Sequence, residues 1–283
     1  MASLAQPPQG WVEKFRRNGF VVVPSIVSEA EIAALAPIFA DLFDRRAGRS
    51  EGAQRDMLGS DEDSSPVVQP EIIDPSNYSA ELRRSRLRSR AAELARELLG
   101  QSAVPSFEHA IMKPPGSERS TPWHQDEAFR PDGSLDYEQL SIWVPLQDVD
   151  QDNGCMRYVP GSHLGAVLDH RPAGGDPRLH ALEYANEAFE PTDAVACPLR
   201  VGGAVIHHGR TLHGAFGNSG ADPRYAYVMA FRIPAAEDAR RHDFPWQRRP
   251  DTAPLRRRRS WLRRGGVVVD AYRRARRRLE RRS

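Results

Sequence analysis

Apolar residues recur at two different spacings, and the switch between them divides the chain. Ile32, Leu35, Ile38 and Phe39 follow helical spacing, and Ser28-Glu29-Ala30-Glu31 ahead of them has the form of a capping box, so residues 28–48 read as a helix. A shorter helix is expected over 11–18, with a strand from Phe20 to Pro24 between the two. Ala80 to Leu99 reads as a further helix, stopped at Gly100. Residues 49–78 are polar, with Gly, Ser, Asp and Pro gathered around Ser60 to Pro66, and read as a long loop and candidate lid. From Val104 to Pro234 the pattern changes. Short β-prone segments (104–113, 139–147, 155–159, 194–199, 203–208, 224–233) alternate with Gly/Pro turns, as in a β-sandwich or barrel. No internal repeat of fixed period is visible.

Composition narrows the class. A chain of 283 residues suits one large domain or two small ones, and 40% hydrophobic residues suffice for a core. No apolar run approaches the ~20 residues of a membrane-spanning helix. Met1 to Gly10 lacks the charged-then-apolar plan of a secretory signal. Two cysteines, Cys155 and Cys197, give neither a disulfide framework nor a cysteine-rich zinc site, so a cytoplasmic setting is expected.

The formal net charge of +2 hides an asymmetry. From Arg240 to Ser283, 17 arginines stand against Asp243, Asp251, Asp270 and Glu280, so the preceding body is acidic. Composition turns to Arg and Pro after about Ala235, which sets the expected organisation: a domain over 1–235 with a β-rich core at about 104–234, then a basic tail over 236–283. Val268, Tyr272, Ala275 and Leu279 fall on one helical stripe within that tail. An arginine-favouring coding bias accounts for such a tail; so does an electrostatic tether for nucleic acid, an anionic membrane surface or an acidic protein.

The most informative local pattern is Trp123-His124-Gln125-Asp126. In a strand, residues two apart share a face, so His124 and Asp126 can aim at one point. An imidazole and a carboxylate on one metal favour Fe(II), Mn(II) or Zn(II), although a buried ion pair has the same appearance. His213, in the segment Gly203 to Gly214, would complete two histidines and one carboxylate, a facial triad that leaves three coordination positions open. His207 and His208 compete for that role, and a strand would send them to opposite faces. Arg224 follows the Asp222-Pro223 turn, where a guanidinium suits a carboxylate in a bidentate pair, or is a plain strand-end arginine.

Gly19-Phe20-Val21-Val22-Val23, Lys113-Pro114-Pro115, Trp123 to Asp126, Trp143, Asn153-Gly154-Cys155-Met156, Pro160-Gly161-Ser162-His163 and the His213 to Arg224 block occur in an order that resembles the phytanoyl-CoA dioxygenase family of Fe(II)/2-oxoglutarate-dependent oxygenases. The resemblance covers roughly residues 10–234. It implies a mainly β fold, a double-stranded β-helix (jelly-roll, cupin-like) core behind N-terminal helices. It implies Fe(II) on His124, Asp126 and His213, with Arg224 on the distal carboxylate of 2-oxoglutarate and O2 as the other cosubstrate. Trp143 matches a tryptophan that lines the cosubstrate pocket. His109 falls where the family places another cosubstrate contact, and its imidazole could donate to a 2-oxoglutarate oxygen. The family pattern favours His213 over His208 as ligand, which leaves His208 as a substrate-pocket candidate. Relatives often carry a hydroxyl residue two after the distal histidine; Ala215 departs from that and leaves Arg224 with more of the anchoring.

The implied activity is oxidative decarboxylation of 2-oxoglutarate to succinate and CO2, coupled to hydroxylation of a small molecule such as a specialised metabolite or acyl thioester. Related halogenases carry Gly or Ala where this chain has Asp126, which argues against halogenation. Phe129, Arg130 and the stretch Leu164 to Glu190 are the candidate substrate contacts. Two other readings compete. A cupin-like metalloenzyme without 2-oxoglutarate has no use for Arg224, and a non-catalytic tether acting through the basic tail has no use for the triad.

Overall fold

Side-chain alternation along the strand Arg224–Arg232 sorts the molecule into layers. Tyr225, Tyr227, Met229 and Phe231 turn toward helical residues such as Ile32, Phe39, Leu42, Leu87 and Leu94, whereas Ala226 and Val228 turn toward Trp143, Val205, Tyr158 and Ala215. The first set is a helix-on-sheet core and the second lies between two sheets. This computed structural model describes residues 7–60, 65–131, 133–186, 189, 191–246 and 251–261.

In chain order the elements are α1 (Trp11–Asn18), β1 (Phe20–Val23), α2 (Glu29–Asp44), β2 (Gln54–Asp56), β3 (Pro70–Ile73), α3 (Ala80–Arg83), α4 (Arg86–Leu99), β4 (Val104–Lys113), β5 (Thr121–His124), β6 (Gln139–Pro145), β7 (Met156–Tyr158), β8 (His170–Pro172), β9 (Leu182–Tyr184), β10 (Val195–Cys197), β11 (Ala204–His208), β12 (His213–Ala215), β13 (Arg224–Arg232) and α5 (Ala253–Trp261). The large sheet runs β1-β11-β6-β13-β4-β3-β2, the smaller one β10-β7-β12-β5, and β8 pairs with β9. The pairings are antiparallel. This is the expected jelly-roll type of fold, mainly antiparallel β with helices from the N-terminal part of the chain.

The capping box forms as read: the Ser28 side chain accepts from Glu31 N, and Glu31 reaches back to Ser28 N. Phe39 on α2 meets Tyr227 edge-on, with ring centroids 5.4 Å apart. Two expectations change. The helix read over 80–99 is interrupted between Arg83 and Arg86, and Ser79 and Ser85 begin its two parts. The polar stretch 49–78 is not a free lid, because β2 and β3 extend the edge of the large sheet. Asp56 ties that region down by accepting from the backbone N–H of Leu58, Gly59, Val68 and Gln69 at 2.7–3.1 Å. Strands of three and four residues whose backbone is held by a carboxylate leave no apolar alternation to read.

The chain keeps contact with the core past residue 235. Asp136 N donates to Arg240 O, Gly133 N to His242 O and His242 N to Ser134 O, at 2.7–2.8 Å. His242, Phe244, Trp246 and His170 then form a ladder of rings with centroids 4.5, 4.9 and 5.7 Å apart. The helical stripe at Val268, Tyr272, Ala275 and Leu279 lies outside the described residues. Among the described residues, no helix is long and apolar enough to cross a membrane.

Candidate functional site

His124 and His213 are direct register partners on β5 and β12, which brings their ring centroids to 4.2 Å. The strand ends at His124, and Asp126 opens a 3-10 turn over Asp126–Phe129. Strand alternation is therefore not what unites residues 124 and 126; the turn carries the carboxylate back over the sheet. Gln125, fully buried, fixes this turn. Its backbone N–H donates to His170 Nε2 at 3.1 Å, and its amide donates to Arg210 O and accepts from Leu168 N, both at 2.7 Å.

The ligand atoms of His124, Asp126 and His213 all lie within 4.8 Å of one another. Nε2 of His124 and of His213 are 3.8 and 3.5 Å from Asp126 Oδ1. Each ring donates its Nδ1 proton to a backbone carbonyl at 2.8 Å, Pro122 O for His124 and Thr211 O for His213. That fixes the tautomer and leaves both Nε2 lone pairs facing a common point, the orientation that metal-bound histidines need. Burial holds both imidazoles below their usual range. Burial pushes Asp126 up, but the His213, His207 and His124 rings around it prevail and hold it well below the carboxylate range. Neutral imidazoles and an ionised carboxylate are the forms that bind a divalent metal.

Ser141 and His207 hold Asp126, with Tyr158 behind His207; of these the sequence singled out only His207, as a rival ligand. Ser141 Oγ donates to Asp126 Oδ2 at 2.6 Å, and His207 Nε2 donates to the same oxygen at 3.1 Å. Tyr158 OH donates to His207 Nδ1 at 3.1 Å, which sets the His207 tautomer. The sequence signal for His207 was the adjacent His207-His208 pair, since alternation sends one of the two inward. Nothing local marked Ser141 or Tyr158; Ser141 reaches the site as the register partner of His207, and Tyr158 as that of His213.

Two connected cavities meet at the triad. A narrow one of about 60 Å³ reaches Trp143, Thr121, Ala215 and Arg224. An outer one of about 270 Å³ is lined by Arg55, Glu71, Phe107, Tyr137 and Ser141 among others, and the two share His109, His124, Asp126 and Phe129. Arg224 is 3% exposed, and among the described residues its Nε and Nη1 have no hydrogen-bond partner. Its guanidinium carbon lies 5.5 Å from the Trp143 ring centre. Burial lowers its pKa to about 10, so it stays charged, and an unpaired buried guanidinium is a site built for an anion. Lys113, its register partner, is fully buried and donates to Phe216 O at 2.6 Å and Arg119 O at 3.1 Å.

The remaining candidates divide. Phe129 lines both cavities. Arg130 lines the outer cavity, but its charge is met by Glu127 at 3.5 Å and Asp136 at 3.4 Å, with Tyr137 3.7 Å beneath, so it braces the wall. His208 lines neither cavity. It points away from the triad and pairs with Glu138 at 2.6 Å, because alternation on β11 turns His207 inward instead. The His109 proton on Nδ1 is committed to Glu71 Oε2 at 2.8 Å. Glu127, Asp136 and His242 also bring ligand atoms together, with Arg130 Nη1 already among them, 3.1 Å from His242 Nε2.

A family model described as phytanoyl-CoA dioxygenase (PhyH) matches residues 15–226. The chain is 36% identical over 149 residues to the probable alpha-ketoglutarate-dependent hypophosphite dioxygenase of Stutzerimonas stutzeri, covering 52% of this chain and 50% of that one. The chain spans about half the length of the curated relatives it matches. EvdO2 from Micromonospora carbonacea var. aurantiaca, solved in complex with 2-oxoglutarate, superposes with a TM-score of 0.72 at 36% identity, covering 87% of this chain and 99% of that one. SnoK, a non-heme alpha ketoglutarate dependent carbocyclase from nogalamycin biosynthesis, superposes with a TM-score of 0.64 at 26% identity, covering 85% and 91%.

Proposed function

The chain belongs to the phytanoyl-CoA dioxygenase family, and from that footing we propose that it is an Fe(II)- and 2-oxoglutarate-dependent oxygenase acting on a small molecule. One observation carries the reading: an unpaired, buried Arg224 guanidinium shares a narrow pocket with three convergent metal-ligating atoms. A metal site without a dicarboxylate leaves Arg224 unexplained. A tether leaves the triad unexplained.

In this reading His124 Nε2, Asp126 Oδ1 and His213 Nε2 hold Fe(II), and Arg224 over Trp143 takes the distal carboxylate of 2-oxoglutarate. Thr121, the register partner of Ala215, lines the same pocket, but its hydroxyl donates to Gln69 Oε1 at 2.8 Å, so Arg224 carries the anchoring that Ala215 cannot share. Fe(II) with 2-oxoglutarate and O2 supplies the oxidising chemistry, yielding succinate, CO2 and a hydroxylated product. The protein's part is to bind and orient. Ser141 and His207 hold Asp126 Oδ2, which would leave Oδ1 as the oxygen offered to a metal. Met57, Phe129 and Val228 line the junction of the two cavities with apolar surface and limit water there. The substrate occupies the outer cavity. A specialised metabolite fits better than an acyl thioester, given a neighbour from nogalamycin biosynthesis.

The arginines after residue 239 supply charge for an anionic surface and act in localisation, apart from turnover. Cys155 and Cys197 are buried free thiols pushed up to about 11 and about 12 by burial, in keeping with a reducing, cytoplasmic setting. Succinate release from 2-oxoglutarate under air tests the proposal. Wild type forms succinate with Fe(II); His213→Ala and Arg224→Ala lose most of it. Equal succinate from all three contradicts the assignment.

A further inference from the structure

Arg55 on β2 faces Glu71 on β3, and His109 on β4 lies diagonally across from Glu71, all three on the wall of the outer cavity. Arg55 Nε donates to Glu71 Oε1 at 2.5 Å, and His109 Nδ1 donates to Glu71 Oε2 at 2.8 Å. Glu71 is 1% exposed, so both its oxygens are committed in a buried setting. Burial pushes Glu71 up, but Arg55 and His109 outweigh it and hold the group well below the carboxylate range. An ionised carboxylate has no proton to give. The proton in the His109–Glu71 hydrogen bond therefore belongs to Nδ1, and an imidazole that donates from Nδ1 has Nε2 as its acceptor nitrogen. Among the described residues Nε2 has no partner, and the ring sits where the two cavities meet, beside His124 and Asp126.

An acceptor in that position is satisfied only by a ligand that donates. Ionised 2-oxoglutarate offers oxygens that accept, so the cosubstrate contact implied by the family resemblance does not suit this tautomer. The Nη groups of Arg55 face the opposite need: they donate to no protein group among the described residues and line the same wall. A hydroxyl answers both, giving its proton to one neighbour and offering lone pairs to the other, whereas an ammonium has no lone pair for Arg55. Phe107, 5.0 Å from His109 by ring centroid, Phe129 and Tyr137 supply apolar surface around these polar groups.

We propose that His109 Nε2 accepts a hydrogen bond from an alcohol hydroxyl of the substrate, so that the outer cavity selects hydroxyl-bearing molecules and His109 positions them beside the metal. This deepens, and rests on, the oxygenase reading of the adjoining triad. Glu71 sets the preference by dictating which nitrogen carries the proton.

The test uses the full chain loaded with Zn(II) and 2-oxoglutarate, with imidazole nitrogens observed by 15N NMR and the His109 signals assigned by their loss in His109→Phe. The probes are benzyl alcohol and benzyl methyl ether, which share an aromatic ring and differ in the donor. The wild type should show the Nδ1–H tautomer, a shift of the Nε2 signal with benzyl alcohol, and about 3- to 10-fold tighter binding of the alcohol, the contribution of one neutral hydrogen bond. In Glu71→Gln the amide carbonyl stays on Arg55 and the NH2 turns to His109 Nδ1, so the proton moves to Nε2 and the alcohol preference disappears. His109→Phe keeps the apolar wall and also loses the preference. An Nε2–H tautomer in the wild type, an unmoved Nε2 signal, or equal or tighter binding of the ether overturns the proposal. The Fe(II) protein separates the two levels. Loss of its 2-oxoglutarate charge-transfer band strikes the oxygenase reading, while an ether preference with the band intact strikes this one alone.

Discussion

His207 donates to the Asp126 oxygen that faces away from His124 and His213, over 3.1 Å, with the Tyr158 hydroxyl 3.1 Å behind its other nitrogen. Ser141 reaches the same oxygen at 2.6 Å. Asp126 is thereby held with one oxygen engaged and one directed at the common point of the triad. Removing these donors frees the carboxylate to rotate. Ser141→Ala and His207→Phe should each weaken Fe(II) affinity, roughly 10- to 100-fold as for other residues that orient metal ligands. Competition against a chelator measures this, and unchanged circular dichroism separates it from unfolding. Unaltered affinity in both variants would show that the hydrogen bonds are incidental.

Arg224 has a different signature. Among the described residues it meets nothing that neutralises it, so under the proposed function its truncation should leave metal binding alone and remove a charge-assisted, two-pronged contact to the cosubstrate. The 2-oxoglutarate Kd of Arg224→Ala should rise about 10- to 100-fold, with Arg224→Lys between the two because it restores charge without the fork. Isothermal titration of the Zn(II) protein reads it directly. An unchanged Kd would move the distal carboxylate elsewhere.

The residues that converge here were only partly marked in the sequence, and the physical reason differs by residue. Residue type and spacing offered His124 and Asp126 as a pair, whereas the choice of His213 over His207 and His208, and the anchoring role of Arg224, came from the family resemblance. His124 and Asp126 were paired for the wrong local reason, since a 3-10 turn unites them and not strand alternation. Ser141, Tyr158 and Glu71 were invisible because their partners lie far along the chain and meet them only through sheet register. The longer elements were marked by periodicity, whereas β2, β3, β5 and β12, at three or four residues each, are too short to display it.

Lys113 gives stability a pH dependence. Burial, then Arg224 and Arg157, lower its pKa from 10.5 to about 6. Between those values the unfolded chain holds a proton on Lys113 that the folded protein does not, so stability through this group rises with pH across the window and is lowest below about 6. Lys113→Met removes that slope. The difference in Tm, wild type minus variant, should therefore grow from pH 7 to pH 9.5; a constant or shrinking difference would mean that Lys113 is protonated in the folded protein.

The ring ladder after residue 240 braces the turn that carries Asp126. Trp246 Nε1 donates to Ala128 O at 3.0 Å and stacks near His170, which receives the Gln125 backbone N–H. Phe244→Ala with Trp246→Ala should lower Tm by about 5 °C or more, given the cost of removing packed aromatic rings, and should weaken Fe(II) binding as well. A fall in Tm with iron affinity untouched would leave the ladder a purely structural role.

The most direct measurement is anaerobic titration of Fe(II) and 2-oxoglutarate into the apoprotein, followed by visible absorption. The account predicts a weak charge-transfer band that saturates with 2-oxoglutarate in the wild type, needs far more 2-oxoglutarate in Arg224→Ala, and is missing when His124→Ala and His213→Ala are combined. No band in the wild type, with iron loading confirmed, would contradict it.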